Sequence, residues 1–355
     1  MKGLIVLGPG GSGKTAICVA LALHLREAGV NVGYFKPIGN VAGTKFKEDG
    51  DALLMQELLG LEVGMDKIVP IHTSPSYLSK YSSLADPVQK IKDSFQAVSA
   101  NRDYVIVEGT TAPQTMMALG LDAPNLASVL GLKAIVVNRG ENDYYLDEAL
   151  LYLRYLESVG VKPAGVLFNN VPKQNIDKCK GVYTPLLEQA GFPVLGVIPK
   201  QRELVAPSAR EVCSVLEGEL LEGKQYLDRL VEEVMIAAMG PESALNYFHR
   251  SINKAVIAGG DRPLVSLAAL ETSTSLLILT GGIYPDMRVL TRAAEKKVPV
   301  LLVPYDTYTT SEKLHAVTKK IIASDATVIA QARRNFSEHC DLTKVAGLLG
   351  VPFPA

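Results

Sequence analysis

The chain of 355 residues is long for one domain and comfortable for two, and its 48% hydrophobic content is ample for a core in each. Its 36 basic and 37 acidic residues nearly cancel, which argues against a polyanion-binding surface, and pairs such as Arg333-Arg334 read as solvated faces. The 4 cysteines, Cys18, Cys179, Cys213 and Cys340, stand far apart with no Cys-x-x-Cys, so neither zinc nor a disulfide framework is indicated. Met1-Lys2-Gly3 runs straight into a strand, and no apolar run reaches the length of a membrane span. The expectation is a cytoplasmic protein with neither nucleic acid nor membrane as partner.

The first element is the apolar strand Leu4-Ile5-Val6-Leu7, which passes through Gly8-Pro9-Gly10-Gly11-Ser12-Gly13-Lys14-Thr15 to a helical run from Ala16. Glycines let the backbone wrap a phosphate with its N–H groups inward, and the helix that follows adds the positive end of its dipole. In such a loop Gly8, Gly10, Gly11, Ser12 and Gly13 cradle the phosphates of a nucleotide. Lys14 reaches the outer phosphates, and Thr15 offers its hydroxyl to Mg²⁺. The other reading is a glycine-rich turn that only closes a βα unit.

Ile17, Ala20, Leu21 and Leu25 mark one face of that helix, which ends near Gly29. A strand from Asn31 to Phe35 leads into Lys36-Pro37-Ile38, where the proline keeps the lysine extended. Lys36 is expected at the carboxyl end of a strand beside the one bearing the loop, where ligands collect in open α/β sheets. An ordinary solvated lysine is the alternative. Glu48-Asp49-Gly50-Asp51 opens a helix through Ala52-Leu53-Leu54-Met55 and Leu58-Leu59. Carboxylates there are caps by default, and one of them can serve a metal.

From Val63 to Ala100 the sequence is irregular, with Pro70, Pro75, Tyr77, Tyr81 and Pro87, before a helix over about Val88–Val98. A long insertion of this kind often covers a nucleotide site. Asp103 to Thr110 is a buried strand ending in Glu108, a position suited to a second Mg²⁺ anchor or to capping the next turn. Strands are expected at Ala134–Asn138, Gly165–Asn169 and Val194–Ile198, with helices at Asp143–Ser158 and Gly181–Ala190, a spacing that predicts a parallel sheet. Asn169 and Asn170 close a strand tip, where an amide could read an adenine edge or shape a turn.

The alternation stops around Pro199–Pro207, and Arg210 to Met239 reads as one long helix. The expected boundary precedes it, with residues 1–207 as the nucleotide-binding domain and 208–355 as a smaller α/β domain. Its strands are Ala255–Ala258, Leu276–Thr280 and Val300–Val303, with helices near Leu264–Leu270, Arg288–Lys296 and Glu312–Ala323. Gly259-Gly260-Asp261-Arg262 lies between strand and helix, a geometry that could hold an anion or an adenine nucleotide, or be a structural tight turn.

These residues carry a resemblance. The first two hundred residues resemble dethiobiotin synthetase and the related amino-terminal domain of some phosphate acetyltransferases. The matches are Gly8 to Thr15, Lys36-Pro37, Asp51, Val107-Glu108-Gly109, Asn169 and Gly196-Val197-Ile198-Pro199. From about Glu211 to Thr310 the chain resembles the DRTGG domain, through Glu233 to Met239, Gly259 to Arg262 and Leu277 to Gly282, with Pro263 where that name places threonine. The resemblance implies an α/β parallel-sheet P-loop NTPase domain followed by a DRTGG-like domain. It also implies ATP and Mg²⁺ as cofactors.

In the synthetases the matching lysine, Lys36 here, helps activate the carboxylating amine, and the acids at Asp51 and Glu108 hold Mg²⁺ with Thr15. The matching asparagine, Asn169, contacts adenine, and Pro199 closes the last motif of the nucleotide site. The readings left open are an ATPase with a regulatory ligand held at Gly259–Arg262, and an ATP-dependent ligase that activates a carboxylate or carbamate with Lys14 and Lys36 as its catalytic lysines. A module that holds nucleotide and scaffolds a separate acetyltransferase is a third. A small-molecule substrate or effector and a homo-oligomer, such as the dimers common among relatives of the first domain, are the expected partners. An acetyltransferase domain would need several hundred further residues, so the chain itself is not expected to transfer acetyl groups.

Overall fold

Continuous apolar runs form the centre of the first unit. In the computed structural model, which describes residues 2–40, 49–74, 76–81, 86–315, 321–351 and 353, six parallel strands make one sheet. They are β1 (Lys2–Leu7), β2 (Val32–Phe35), β5 (Tyr104–Glu108), β6 (Lys133–Arg139), β7 (Pro163–Val171) and β8 (Val194–Pro199), in the order β2-β5-β1-β6-β7-β8. Leu4 to Leu7, Val105 to Val107 and Ile135 to Val137 are fully buried along their length, as strands covered on both faces must be. A separate parallel pair, β3 (Ile38–Asn40) and β4 (Ile71–Thr73), organises part of the proline-marked insertion.

The strand order corrects one expectation. β5 lies between β2 and β1, so Lys36 follows a strand one place removed from the loop strand, and Glu108 ends the neighbouring one. The crossover from β2 spans the helices Met65–Ile68 and Pro87–Ser99 before β5 enters the sheet, and sequence order alone does not fix which slot a returning strand takes. Glu48, Pro75 and the stretch 41–48 lie outside the described residues.

The chain divides into two compact units, Met1–Gln201 with Ile321–Ala355, and Arg202–Lys320. The division expected at residue 207 assigns the last stretch to the second domain, whereas it packs with the first. The helix Ala326–His339 lies against the phosphate-loop helix Lys14–Glu27 and buries Val328, Ile329, Ala332 and Phe336. His24 Nε2 is 2.9 Å from Ser337 Oγ, the His24 ring stacks on Phe353 at 5.2 Å, and Arg333 pairs with Glu27 at 2.7 Å. Asp341 N–H donates to the Leu195 carbonyl of β8 at 2.8 Å. An amphipathic helix needs an apolar surface to cover, and the flank of the sheet beside β8 supplies it.

The second unit holds β9 (Glu219–Glu222), β10 (Glu233–Ile236), β11 (Lys254–Gly259), β12 (Thr274–Thr280) and β13 (Val300–Leu302) in the order β10-β11-β12-β13-β9, with β9 antiparallel. The long helix expected over Arg210–Met239 is instead the short helix Ala209–Leu216 followed by β9 and β10. Gly223 (φ 79) takes a left-handed conformation after β9, which interrupts any continuous helix, and the apolar residues after it serve a strand. Met235, Val256, Leu277 and Val300 face one core layer, and Ala255, Ile257, Leu276 and Leu301 the other. The flanking helices are Pro263–Leu270, Met287–Lys296 and Thr307–His315. Residues 316–320 of the helix expected at Glu312–Ala323 lie outside the described residues. Among the described residues no helix is long and apolar enough to cross a membrane.

Two predictions follow from this packing. Phe336 is 1% exposed, so Phe336→Ala is expected to destabilise the first unit by about 3–5 kcal/mol, read as a lower urea midpoint with nearly unchanged slope. Unfolding that leaves the first unit's midpoint in place would contradict the assignment. Lys254 is 0% exposed, donates to the carbonyls of Ser251 and Ser273, and is lowered by burial to about 8. The unfolded chain therefore binds the extra proton between pH 8 and about pH 10.4, so stability rises with pH across that window. Lys14, also lowered to about 8 by burial, contributes a rise of the same sign, so thermal melts of Lys254→Met should show a smaller rise than those of wild type.

Candidate nucleotide site

The site begins where β1 ends. Gly8 to Gly13 form the turn, and Lys14 opens the helix, whose first turn has no side-chain cap. Its N–H groups therefore face the loop with the positive end of the dipole. The Lys14 ammonium folds back over the loop and donates to the carbonyls of Gly8 at 2.8 Å and Pro9 at 3.0 Å. Burial lowers its pKa to about 8, with Glu108 acting in the opposite sense. The Ser12 hydroxyl and the Thr110 hydroxyl are buried without a hydrogen-bond partner among the described residues.

Glu108, at the tip of β5 and 2% exposed, gathers the charged side of the site. Thr15 Oγ1 donates to its Oε1 at 2.9 Å, and Tyr34 O–H donates to its Oε2 at 2.8 Å. Lys36 Nζ lies 3.7 Å from Glu108 Oε1, 3.0 Å from Asp49 Oδ1 and 2.5 Å from Asp51 Oδ2. Burial pushes Glu108 up, partly offset by the Lys36 ammonium. Burial would also raise Asp51, but Lys36 brings it below the usual carboxylate range. Burial opposes charge on Lys36 too, yet Glu108, Asp51 and Asp49 together hold it well above the ordinary lysine value. Lys36 is therefore a fixed ammonium, 4% exposed, and not a solvated one.

Thr15, Asp51 and Glu108 thus stand together, with Lys14 acting electrostatically on both acids. Asp49 performs the capping expected of it, accepting from the Asp51 and Ala52 N–H groups at 3.1 Å, while also holding Lys36. Tyr34 went unmarked in the sequence, where it is one more apolar strand residue; only the pairing of β2 with β5 brings its hydroxyl to Glu108. Asn169 Nδ2 donates to the Ser12 carbonyl at 2.8 Å, and the Pro199 carbonyl accepts from Asn335 Nδ2 of the returning helix at 3.2 Å.

The second unit's turn is tighter. Arg262 N–H donates to the Gly259 carbonyl at 3.0 Å, and its guanidinium holds the carbonyls of Ala237 at 2.6 Å and Met239 at 2.8 Å, beyond the end of β10. A Cβ on Gly260 would lie 1.9 Å from the Ile283 carbonyl oxygen, so the backbone approach there demands glycine. Asp261 lies beside Gly259, where a Cβ would meet Asp261 Oδ1 at 2.5 Å.

A glycine-rich loop between a central parallel strand and an uncapped helix, with a lysine and threonine at the helix start, defines a P-loop NTPase-like protein. A family model described as an AAA domain matches residues 2–208, and one described as a DRTGG domain matches residues 211–317. The chain belongs to that AAA-domain family of P-loop proteins and carries a DRTGG domain after it. It is 27% identical over 334 residues to the phosphate acetyltransferase of Pseudomonas putida, an alignment covering 89% of this chain and 47% of the relative. It is 29% identical over 213 residues to the ATP-dependent dethiobiotin synthetase of Bacillus cereus, covering 56% of this chain and 85% of that enzyme. The cell division ATPase MinD of Pyrococcus furiosus aligns at 16% identity over 57% of this chain and 86% of its own, with a TM-score of 0.38. The chain spans about half the length of the phosphate acetyltransferases it matches.

The ion cluster is open to a direct test. Lys36→Met leaves Asp49, Asp51 and Glu108 without their shared cation, and is expected to cost about 3–5 kcal/mol of stability in the first unit, measured by urea unfolding. Lys36→Arg should recover part of it.

Proposed function

We infer that the first unit binds ATP with Mg²⁺ and hydrolyses it, and that the second unit regulates this activity through a ligand of its own. The observation that carries the reading is the meeting of Thr15 and Glu108 at the start of an uncapped helix, beside an ammonium already drawn over the loop. Gly8, Gly10, Gly11, Ser12 and Gly13 would present the backbone to the phosphates, with Asn169 and Pro199 closing the far side.

The residues fit the ligands. The buried hydroxyl of Ser12 has no partner among the described residues, and an incoming phosphate oxygen would supply one. Thr15, Asp51 and Glu108 are hard oxygen donors, and Mg²⁺ commonly takes one or two carboxylates and completes its sphere with phosphate oxygens and water. Bound there, Mg²⁺ would neutralise charge on the β- and γ-phosphates. Lys14 would stabilise charge on the transferred phosphoryl group, and Lys36 would hold the carboxylates in place.

For the second unit the reading places the ligand against the Gly259-Gly260-Asp261 backbone, since the Arg262 guanidinium is engaged with the end of β10. A second reading is an ATP-dependent ligase that activates a carboxylate or carbamate. The fixed ammonium of Lys36 favours it, because a permanent cation at that point can orient an anionic acceptor.

Calorimetry with Mg-ATP on wild type and Lys14→Ala tests the core of the proposal. The variant should bind at least about tenfold more weakly, the loss of one charge-assisted phosphate contact, and should release little phosphate. Equal affinity and turnover would refute it. Phosphate release measured with and without diaminopelargonate and bicarbonate separates the readings: strong stimulation selects the ligase, and none selects the regulated ATPase.

A further inference from the structure

β7 ends in two asparagines whose side chains both reach the phosphate loop. Asn169 Nδ2 donates to the Ser12 carbonyl at 2.8 Å, and Asn170 Nδ2 to the Gly11 carbonyl at 3.3 Å. Asn169 is 5% exposed, and Asn170 takes a left-handed φ of 55, a conformation that asparagine tolerates better than most residues. Within a planar trans peptide the carbonyl of one residue and the N–H of the next point in opposite directions. Drawing the Ser12 carbonyl toward β7 therefore turns the Gly13 N–H the other way, toward the concave side of the loop.

Gly13 completes the arrangement. Its φ is 86, and a Cβ there would lie 2.2 Å from Asn169 Nδ2. The glycine and the amide are one device: the backbone can approach the asparagine only because it carries no side chain, and the asparagine fixes which way the peptide faces. Because β7 is hydrogen-bonded to β6, and β6 to β1, the brace ties the loop to the sheet from the side opposite Glu108.

We propose that Asn169, assisted by Asn170, is a positioning residue for the phosphate loop, acting on the triphosphate through the Gly13 N–H and not chiefly as a reader of the base. This rests on the nucleotide-binding reading above. It differs from the adenine contact that the resemblance implies for Asn169, and the two make opposite predictions for a ligand with no base.

The test is calorimetry on the full chain with Mg²⁺ and inorganic tripolyphosphate, ATP or GTP. Asn169→Ala should weaken all three by a common factor of about tenfold, the upper range for one hydrogen bond. Asn169→Asp, whose carboxylate cannot donate to the Ser12 carbonyl, should weaken them further, and Asn170→Ala by about twofold to threefold. Loss of ATP affinity with tripolyphosphate unchanged would overturn the proposal and make Asn169 a base reader. No loss for any ligand would overturn it as well. If Asn169→Ala does not fold, Asn169→Asp and Asn170→Ala are read by the same comparison. Wild-type chain that binds neither tripolyphosphate nor ATP would instead refute the nucleotide-binding reading itself.

Discussion

A carboxylate buried at the tip of a central strand is tolerable only if its surroundings supply hydrogen bonds and positive charge, and Glu108 imposes that demand on everything near it. Three elements answer: β2 brings Tyr34, the chain just beyond it brings Lys36, and the helix after the glycine loop brings Thr15. Lys36 in turn needs more negative charge than Glu108 alone provides, and the start of the helix Gly50–Leu59 supplies Asp49 and Asp51. The result ties the phosphate loop to the sheet through one carboxylate. Any cation or phosphate entering the loop must come to terms with a charge arrangement already fixed.

The loop is held from its other side by amides rather than charges. Asn169 and Asn170 engage loop carbonyls, while Lys14 engages two more from within. The Ser12 carbonyl, fastened toward β7, leaves the Gly13 N–H to face the other way, so the shape of the loop depends on its supports as well as on its glycines.

The second unit interrupts the first. The chain leaves the P-loop unit after Gln201 and returns to it at Ile321, so the DRTGG domain is spliced between the last strand of the sheet and a helix that covers the phosphate-loop helix. The returning segment meets residues near the site motifs: Pro199 accepts from Asn335, and His24, nearly three turns beyond the loop, meets Ser337 and Phe353. The DRTGG domain therefore has two covalent connections to the P-loop unit, where a simple tandem arrangement has one.

Much of this was legible in the residues. Uninterrupted runs such as Leu4–Leu7 and Val105–Val107, rich in branched residues and bounded by turn signals, fit strands buried on both faces, and the glycine octet between strand and helix has few physical meanings. The domain limits were less legible, because the burial of Phe336 or the register of β9 depends on which distant surface each meets. The sequence by itself determined the two α/β cores and the glycine loop between strand and helix, since periodicity and glycine spacing are local properties, and it singled out Lys14, Lys36, Asp51 and Glu108 by their chemistry alone. Only the tertiary structure decided that β5 separates β2 from β1, that Tyr34 and Asp49 join the ion cluster, that Arg262 is held by backbone carbonyls, and that the last helices belong to the first unit. Those outcomes turn on which strand fills which slot and which apolar face finds cover, and these are contacts between segments far apart in the chain.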